Sequence, residues 1–216
     1  MNSERTRKLT ALAMLSALAF IVMVVGRIPM MSIPGLTLKY DPKDVVIIIG
    51  GFMYGPLAAA GISAVVSFVE MVTVSDNGPI GMVMNIVSSC SFACTAAFVY
   101  KYRRTLSGAL AGIVGGVIVT AAAMVLWNYL ITPIYLGFPR AAVVPYLMPF
   151  FLPFNLIKGT INAAVTMMLY KPVSRALRMI TRETFKEEKK AVNNLAVAIV
   201  AAVVVLACVV LVYLVF

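Results

Sequence analysis

Asn155 and Lys158 lie three residues apart inside an apolar run, Pro153-Phe154-Asn155-Leu156-Ile157-Lys158-Gly159. On a helix that spacing puts an amide and an ammonium on one face. An ammonium at bilayer depth costs several kcal/mol, from about 2.5 upward, so such a group lines a pocket or pairs with an opposite charge. The pair reads as a polar patch that grips a small molecule inside a membrane protein. Glu70, toward the outer end of another apolar run, is either the partner of Lys158 or a separate ligand contact. Asn128, between Trp127 and Tyr129, joins an amide to flat aromatic surface. That suits a planar heteroaromatic ligand, although an interfacial aromatic belt gives the same pattern. Asn85 is a further candidate contact, or simply a hydrogen bond across helices.

Other chemistry is missing from the sequence. There is no histidine, which argues against metal catalysis and imidazole acid–base work. Cys90 and Cys94 are one helical turn apart and Cys208 is remote; with no other soft ligand nearby they read as core thiols. No G-x-x-x-x-G-K-[ST] run is available to cradle ATP. No nucleophile–base pair stands out, so no enzyme is expected. Glu70 reads as the only buried acid, so no carboxylate relay for proton coupling is expected either. Any uphill transport must draw its energy from another subunit.

The polar residues need a membrane scaffold. Of 216 residues 62% are hydrophobic and 12% charged, with a mean hydropathy of +1.00. Soluble domains carry about 25% charged residues, so an integral membrane protein is expected. The net charge of +10 reads as membrane-surface charge between spans rather than a nucleic-acid signal. The basic start leads into an apolar stretch with no small-residue cleavage site, which reads as a retained first span.

Apolar runs predict spans near 9–28, 43–55, 57–74, 79–100, 105–131, 149–170 and 193–216. Residues 45–74 form one apolar stretch of thirty residues; a single straight helix would run about 45 Å, against a hydrocarbon core of about 30 Å. Gly50-Gly51 and Gly55-Pro56 can turn it. Charge supports the turn. With it, and with the N-terminus cytoplasmic and the C-terminus outside, thirteen basic residues fall inside and four outside (Arg27, Lys39, Lys43 and Arg140). Without it the pattern inverts.

The second span is therefore short, with Asp41 expected as its N-cap and Pro42 at its first helical position. A shallow cavity above it, open to the outside, follows from that shortness. Two apolar outer segments can cover the cavity: Pro29–Tyr40, where Leu36-Thr37-Leu38 reads as extended, and Thr132–Met148. Interfacial anchoring is the other reading of the second. Ala13 and Ala17 in the first span form a small-xxx-small stripe for close helix contact, within the bundle or with another subunit. Gly112, Gly115 and Gly116 read as an internal version. Residues 1–175 are thus expected as a six-span domain, 176–192 as a basic cytoplasmic linker and 193–216 as an added membrane anchor.

These segments resemble the substrate-binding S components of energy-coupling factor (ECF) vitamin transporters, the riboflavin-specific type in particular. The resemblance rests on Leu38-Lys39-Tyr40-Asp41 through Asp44, Ile49-Gly50-Gly51-Phe52-Met53-Tyr54-Gly55-Pro56, Trp127-Asn128-Tyr129, the Asn155–Lys158 segment and Ala13-x-x-x-Ala17, and covers about residues 8–175. It implies an all-α six-helix membrane bundle, here with one extra C-terminal transmembrane helix. It implies riboflavin as a transported ligand rather than a cofactor, with Asn128, Asn155 and Lys158 contacting the flavin and Leu38, Lys39 and Tyr40 covering it. It also implies uptake through a coupling membrane subunit, met through Ala13 and Ala17, and two ATPase subunits. Another vitamin or flavin analogue, or an anchor subunit without ligand, are the other readings. The anchor reading would pair Lys158 with Glu70.

Overall fold

A computed structural model describes residues 3–33, 36–75 and 77–184. Residues up to Tyr170 form one compact unit and those from Lys171 a second; the candidate site lies within the first. The expected seventh span lies outside the described residues.

Helix α1 (Ser3–Gly26) leads into a hairpin of β1 (Ile28–Ile33) and β2 (Leu36–Tyr40). Helices α2 (Lys43–Tyr54), α3 (Pro56–Thr73), α4 (Gly78–Tyr102) and α5 (Leu106–Leu130) follow. Two short helices, α6 (Thr132–Leu136) and α7 (Arg140–Tyr146), then run through a π-helical turn (Leu147–Phe151) into α8 (Leu152–Thr184). Among the described residues five helical stretches are long and apolar enough to span a membrane: Glu4–Gly26, α3, α4, α5 and Arg140–Tyr170. Many apolar side chains point outward, among them Met14, Ile21, Val25, Phe68 and Ile118. Lipid is the solvent that such a surface fits.

Helix α2 has only 12 residues and reaches about 18 Å. Nine of those residues, from Lys43 to Phe52, are buried, so protein rather than lipid surrounds the short helix. Its close fit depends on glycine. A Cβ on Gly51 would stand 2.9 Å from Ala97 Cβ and 3.1 Å from Ala59 Cβ. The chain then turns at Gly55, whose φ of 93° falls in the region that favours glycine, and Pro56 opens α3 at a position where its missing N–H costs nothing. The turn is where length and charge put it.

Helices α4 and α5 also meet through small residues: a Cβ on Gly112 or Gly116 would lie 2.6 Å from Ala96 O or 2.7 Å from Phe92 O. Gly115 faces only Thr95. Cys90 and Cys94 are half-buried rather than core; Cys94 Sγ donates to Pro56 O at 3.4 Å.

Two local expectations need correcting. Asp41 does not cap α2: the helix begins at Lys43, Pro42 takes the cap position, and no side chain caps it. The Asp41 carboxylate is drawn instead to two ammonium groups. Leu36-Thr37-Leu38 is extended, as its sequence suggests, and forms one arm of a hairpin; it pairs with β1 in antiparallel register from Ile33↔Leu36 to Ile28↔Tyr40, with an irregularity between Pro29 and Met31. Proline cannot donate to a ladder, which obscures the first strand in the sequence. Finally, Thr132–Met148 is largely helical rather than a loop. It does fold back on the protein: Val143, Leu147 and Phe151 form a buried cluster with Leu38 and Tyr146 packed against it.

Candidate functional site

The ends of α1, α3 and α5 and the starts of α2 and α4 lie at one end of the bundle, where the hairpin also sits. Six charged side chains meet there. Glu70 receives Arg27 on one carboxylate oxygen and Lys43 Nζ, at 2.5 Å, on the other. Lys43 also stands 3.8 Å from Asp41 Oδ2. Lys158 Nζ lies 3.5 Å from the same Asp41 oxygen and 3.7 Å from Asp44 Oδ2. Asp44 is further held by Ser89 Oγ at 2.5 Å and Asn162 Nδ2 at 3.4 Å. Three cations thus face three acids. That balance is what makes burial tolerable, since an unpaired buried ion costs several kcal/mol.

The two lysines are held differently. Lys43 is fully buried and tightly bound to Glu70. Lys158 is 8% exposed and shares two carboxylates at longer range. The first geometry is that of a structural pair; the second leaves ammonium protons for another acceptor.

Beside the cluster is a cavity of about 360 Å³, within the range of roughly 300–1,000 Å³ typical of small-molecule sites. Phe151, Phe154, Met84, Met124 and Leu38 give it apolar walls, and Lys158, Asn155, Asn128, Asn85, Asp41 and Arg27 give it polar ones. Flat apolar surface with a few convergent polar groups suits a planar, hydrogen-bonding ligand.

The local folding of α8 presents Asn155 and Lys158. Prolines recur at 145, 149 and 153, and each removes a helix donor. The strand of helix around them relaxes into the π turn, closed by Leu152 N–H donating to Leu147 O. Such turns cluster at functional sites. Asn155 Nδ2 then donates to Phe151 O at 2.7 Å. Asn128 is fixed in a similar way: its Nδ2 donates to Met124 O at 2.6 Å, and its Oδ1 accepts from Thr132 at 2.8 Å.

Of the residues singled out in the sequence, Leu38, Lys39, Glu70, Asn85, Asn128, Asn155 and Lys158 all line this one cavity. Tyr40 does not; its hydroxyl donates to Asn162 Oδ1 at 2.9 Å. Burial pushes the Tyr40 phenol up, with Asp41 and Asp44 adding to the shift, so it stays a neutral donor. Glu70 is not the partner of Lys158, because Lys43 and Arg27 occupy it. Nor is it the only buried acid, since Asp41 and Asp44 are buried too. Lys43, counted outside by sequence, is inside the protein. Ala13 and Ala17 are exposed on α1, whereas Ser16 and Ala19 face inward.

Residues 7–170 match the family described as "ECF transporter, substrate-specific component". The chain belongs to this family. As an S component it is a transporter subunit, not an enzyme, and a multi-pass membrane protein. It is similar to the riboflavin transporter RibU of Staphylococcus aureus (strain TCH60), with 27% identity covering 83% of this chain and 97% of that one. The riboflavin transporter FmnP of Bacillus subtilis (strain 168) is 29% identical, covering 77% and 91%. A solved bacterial ECF S component superposes with a TM-score of 0.67 at 28% identity, over 80% of this chain and 98% of that one. The biotin S component of an ECF-type ABC transporter, at 17% identity and a TM-score of 0.51 over 79% and 94%, shares the fold.

Proposed function

We propose that this S component binds riboflavin in the cavity beside Lys158 and delivers it to an ECF-type importer. Riboflavin has a flat tricyclic ring, an imide edge of alternating carbonyl and N–H groups, and a ribityl tail. The phenylalanines and methionines suit the ring, and Asn128, Asn155 and Lys158 suit the edge. The observation that carries the reading is the convergence of seven sequence-selected residues on one cavity of fitting size, together with three curated relatives that are riboflavin transporters.

In this reading the N-terminus is cytoplasmic, because that places the basic loops inside, and the cavity opens outward beneath the hairpin. The apolar segment 193–216, outside the described residues, is read from its sequence as an added anchor with the C-terminus outside, following the basic segment 176–192 and the six-span domain 1–175. As a component of an ECF importer, the chain would work with a coupling membrane subunit and two ATPase subunits. The exposed Ala13 and Ala17 are where the coupling subunit packs, since small residues let a partner helix approach closely. The test is uptake of labelled riboflavin by cells lacking their own transporter. Uptake is expected only when this chain and an ECF module are expressed together; failure in that combination, with both present in the membrane, would refute the proposal.

A further inference from the structure

Asp41 is 4% exposed and forms part of the cavity wall. Its Oδ2 shares Lys43 and Lys158, but its Oδ1 has no hydrogen-bond partner. A buried carboxylate oxygen without a donor is costly, by about 1–3 kcal/mol or more. Other polar groups around it are already engaged: Asp44 by Ser89 and Asn162, and Glu70 by Arg27 and Lys43. Lys158 meets Asp41 only at 3.5 Å. An under-used ammonium therefore adjoins an unpartnered carboxylate oxygen, a donor beside an acceptor.

We infer that Asp41 is a specificity-determining residue, accepting the imide N3–H of the flavin while Lys158 donates to the neighbouring ring carbonyl. The inference rests on the riboflavin reading. The alternation matches the chemistry of an imide, in which an N–H lies between two carbonyls. A ligand with a ring nitrogen lacking its proton at that place would meet a bare carboxylate and leave it unpaired. Sites built to receive an N–H reject analogues without it strongly for this reason. Asp41 also holds Lys158 in place, so it positions the donor as well as supplying the acceptor.

The test titrates flavin fluorescence with purified wild type, Asp41→Asn and Asp41→Ala, using riboflavin, N3-methylriboflavin and lumiflavin, which keeps the imide but lacks the ribityl tail. Asp41→Ala is expected to weaken riboflavin and lumiflavin alike, by about 10- to 100-fold. Its effect on N3-methylriboflavin, which binds poorly already, is expected to be much smaller, because only the positioning of Lys158 is lost there. Asp41→Asn, which retains a carbonyl acceptor, is expected to fall between the two. An equal penalty on riboflavin and its N3-methyl analogue would overturn the inference, as would a penalty absent with lumiflavin. If Asp41→Ala does not fold, [15N3]riboflavin bound to wild type decides. A slowly exchanging N3 proton is expected, and exchange as fast as in free riboflavin would overturn the assignment. Wild type that binds no riboflavin at all would instead overturn the function proposed above.

Discussion

Lys43 and Lys158 share Asp41 yet should fail in opposite ways when replaced by methionine. Lys43 is fully buried and 2.5 Å from Glu70. Removing it leaves Glu70 with Arg27 alone, and leaves two cations to three acids in the cluster. Breaking a buried pair from one side costs about 3–5 kcal/mol. Lys158 is partly exposed to the cavity, and its two ion pairs are 3.5 and 3.7 Å long. Water entering the cavity can solvate what it leaves behind, so the cost should fall to about 1–2 kcal/mol. For the bound state the order reverses. Lys158→Met removes a ligand donor, whereas Lys43→Met acts on the ligand only through Asp41. The assay is the apparent unfolding midpoint in detergent, without and with riboflavin, at one fixed heating rate because such unfolding is commonly irreversible. Lys43→Met should lose more of the ligand-free midpoint, and Lys158→Met more of the ligand-induced rise. Equal ligand-free losses, or a full riboflavin-induced rise in Lys158→Met, would refute the division into a structural and a binding lysine.

Other consequences are equally direct. Asn128→Ala and Asn155→Ala should each weaken riboflavin by about 1–3 kcal/mol in an equilibrium titration; unchanged affinity would remove that residue from the site. Gly51→Val should destabilise the protein by about 1–3 kcal/mol by overpacking against Ala97 and Ala59, seen as a lower unfolding midpoint, whereas Gly61→Ala, with open space around it, should not. Ala13→Leu with Ala17→Leu should leave riboflavin affinity intact but abolish uptake with the ECF module; normal uptake would place the coupling contact elsewhere.

The bundle was legible because its physics is one-dimensional. Thirty apolar residues are too many for one crossing, and Gly55-Pro56 with the surrounding charges shows where they divide. Lys158, Asn155 and Asn128 were legible because a polar group in an apolar run is conspicuous. The ionic cluster was not. Asp41, Lys43 and Asp44 stand at the start of a helix, where acids ordinarily serve as caps and exposed charge is unremarkable. The available signal was three charges in four residues opening a twelve-residue helix too short to reach solvent at both ends. In the sequence Glu70 suggests either a partner for Lys158, the conspicuous cation, or a ligand contact; Lys43, hidden among apparent surface charges, holds it instead. The prolines at 145, 149 and 153 mark where the helix loses donors, but the π turn that results depends on neighbouring helices that fix how the backbone settles.

The most direct measurement is a titration of riboflavin into the purified wild-type protein, following quenching of flavin fluorescence, beside the same titration of Lys158→Ala. Saturable one-to-one quenching by the wild type and a clearly weaker response from the variant are predicted. A wild type that leaves riboflavin fluorescence unchanged, or a variant that binds it equally well, would contradict the assignment of this cavity to the flavin.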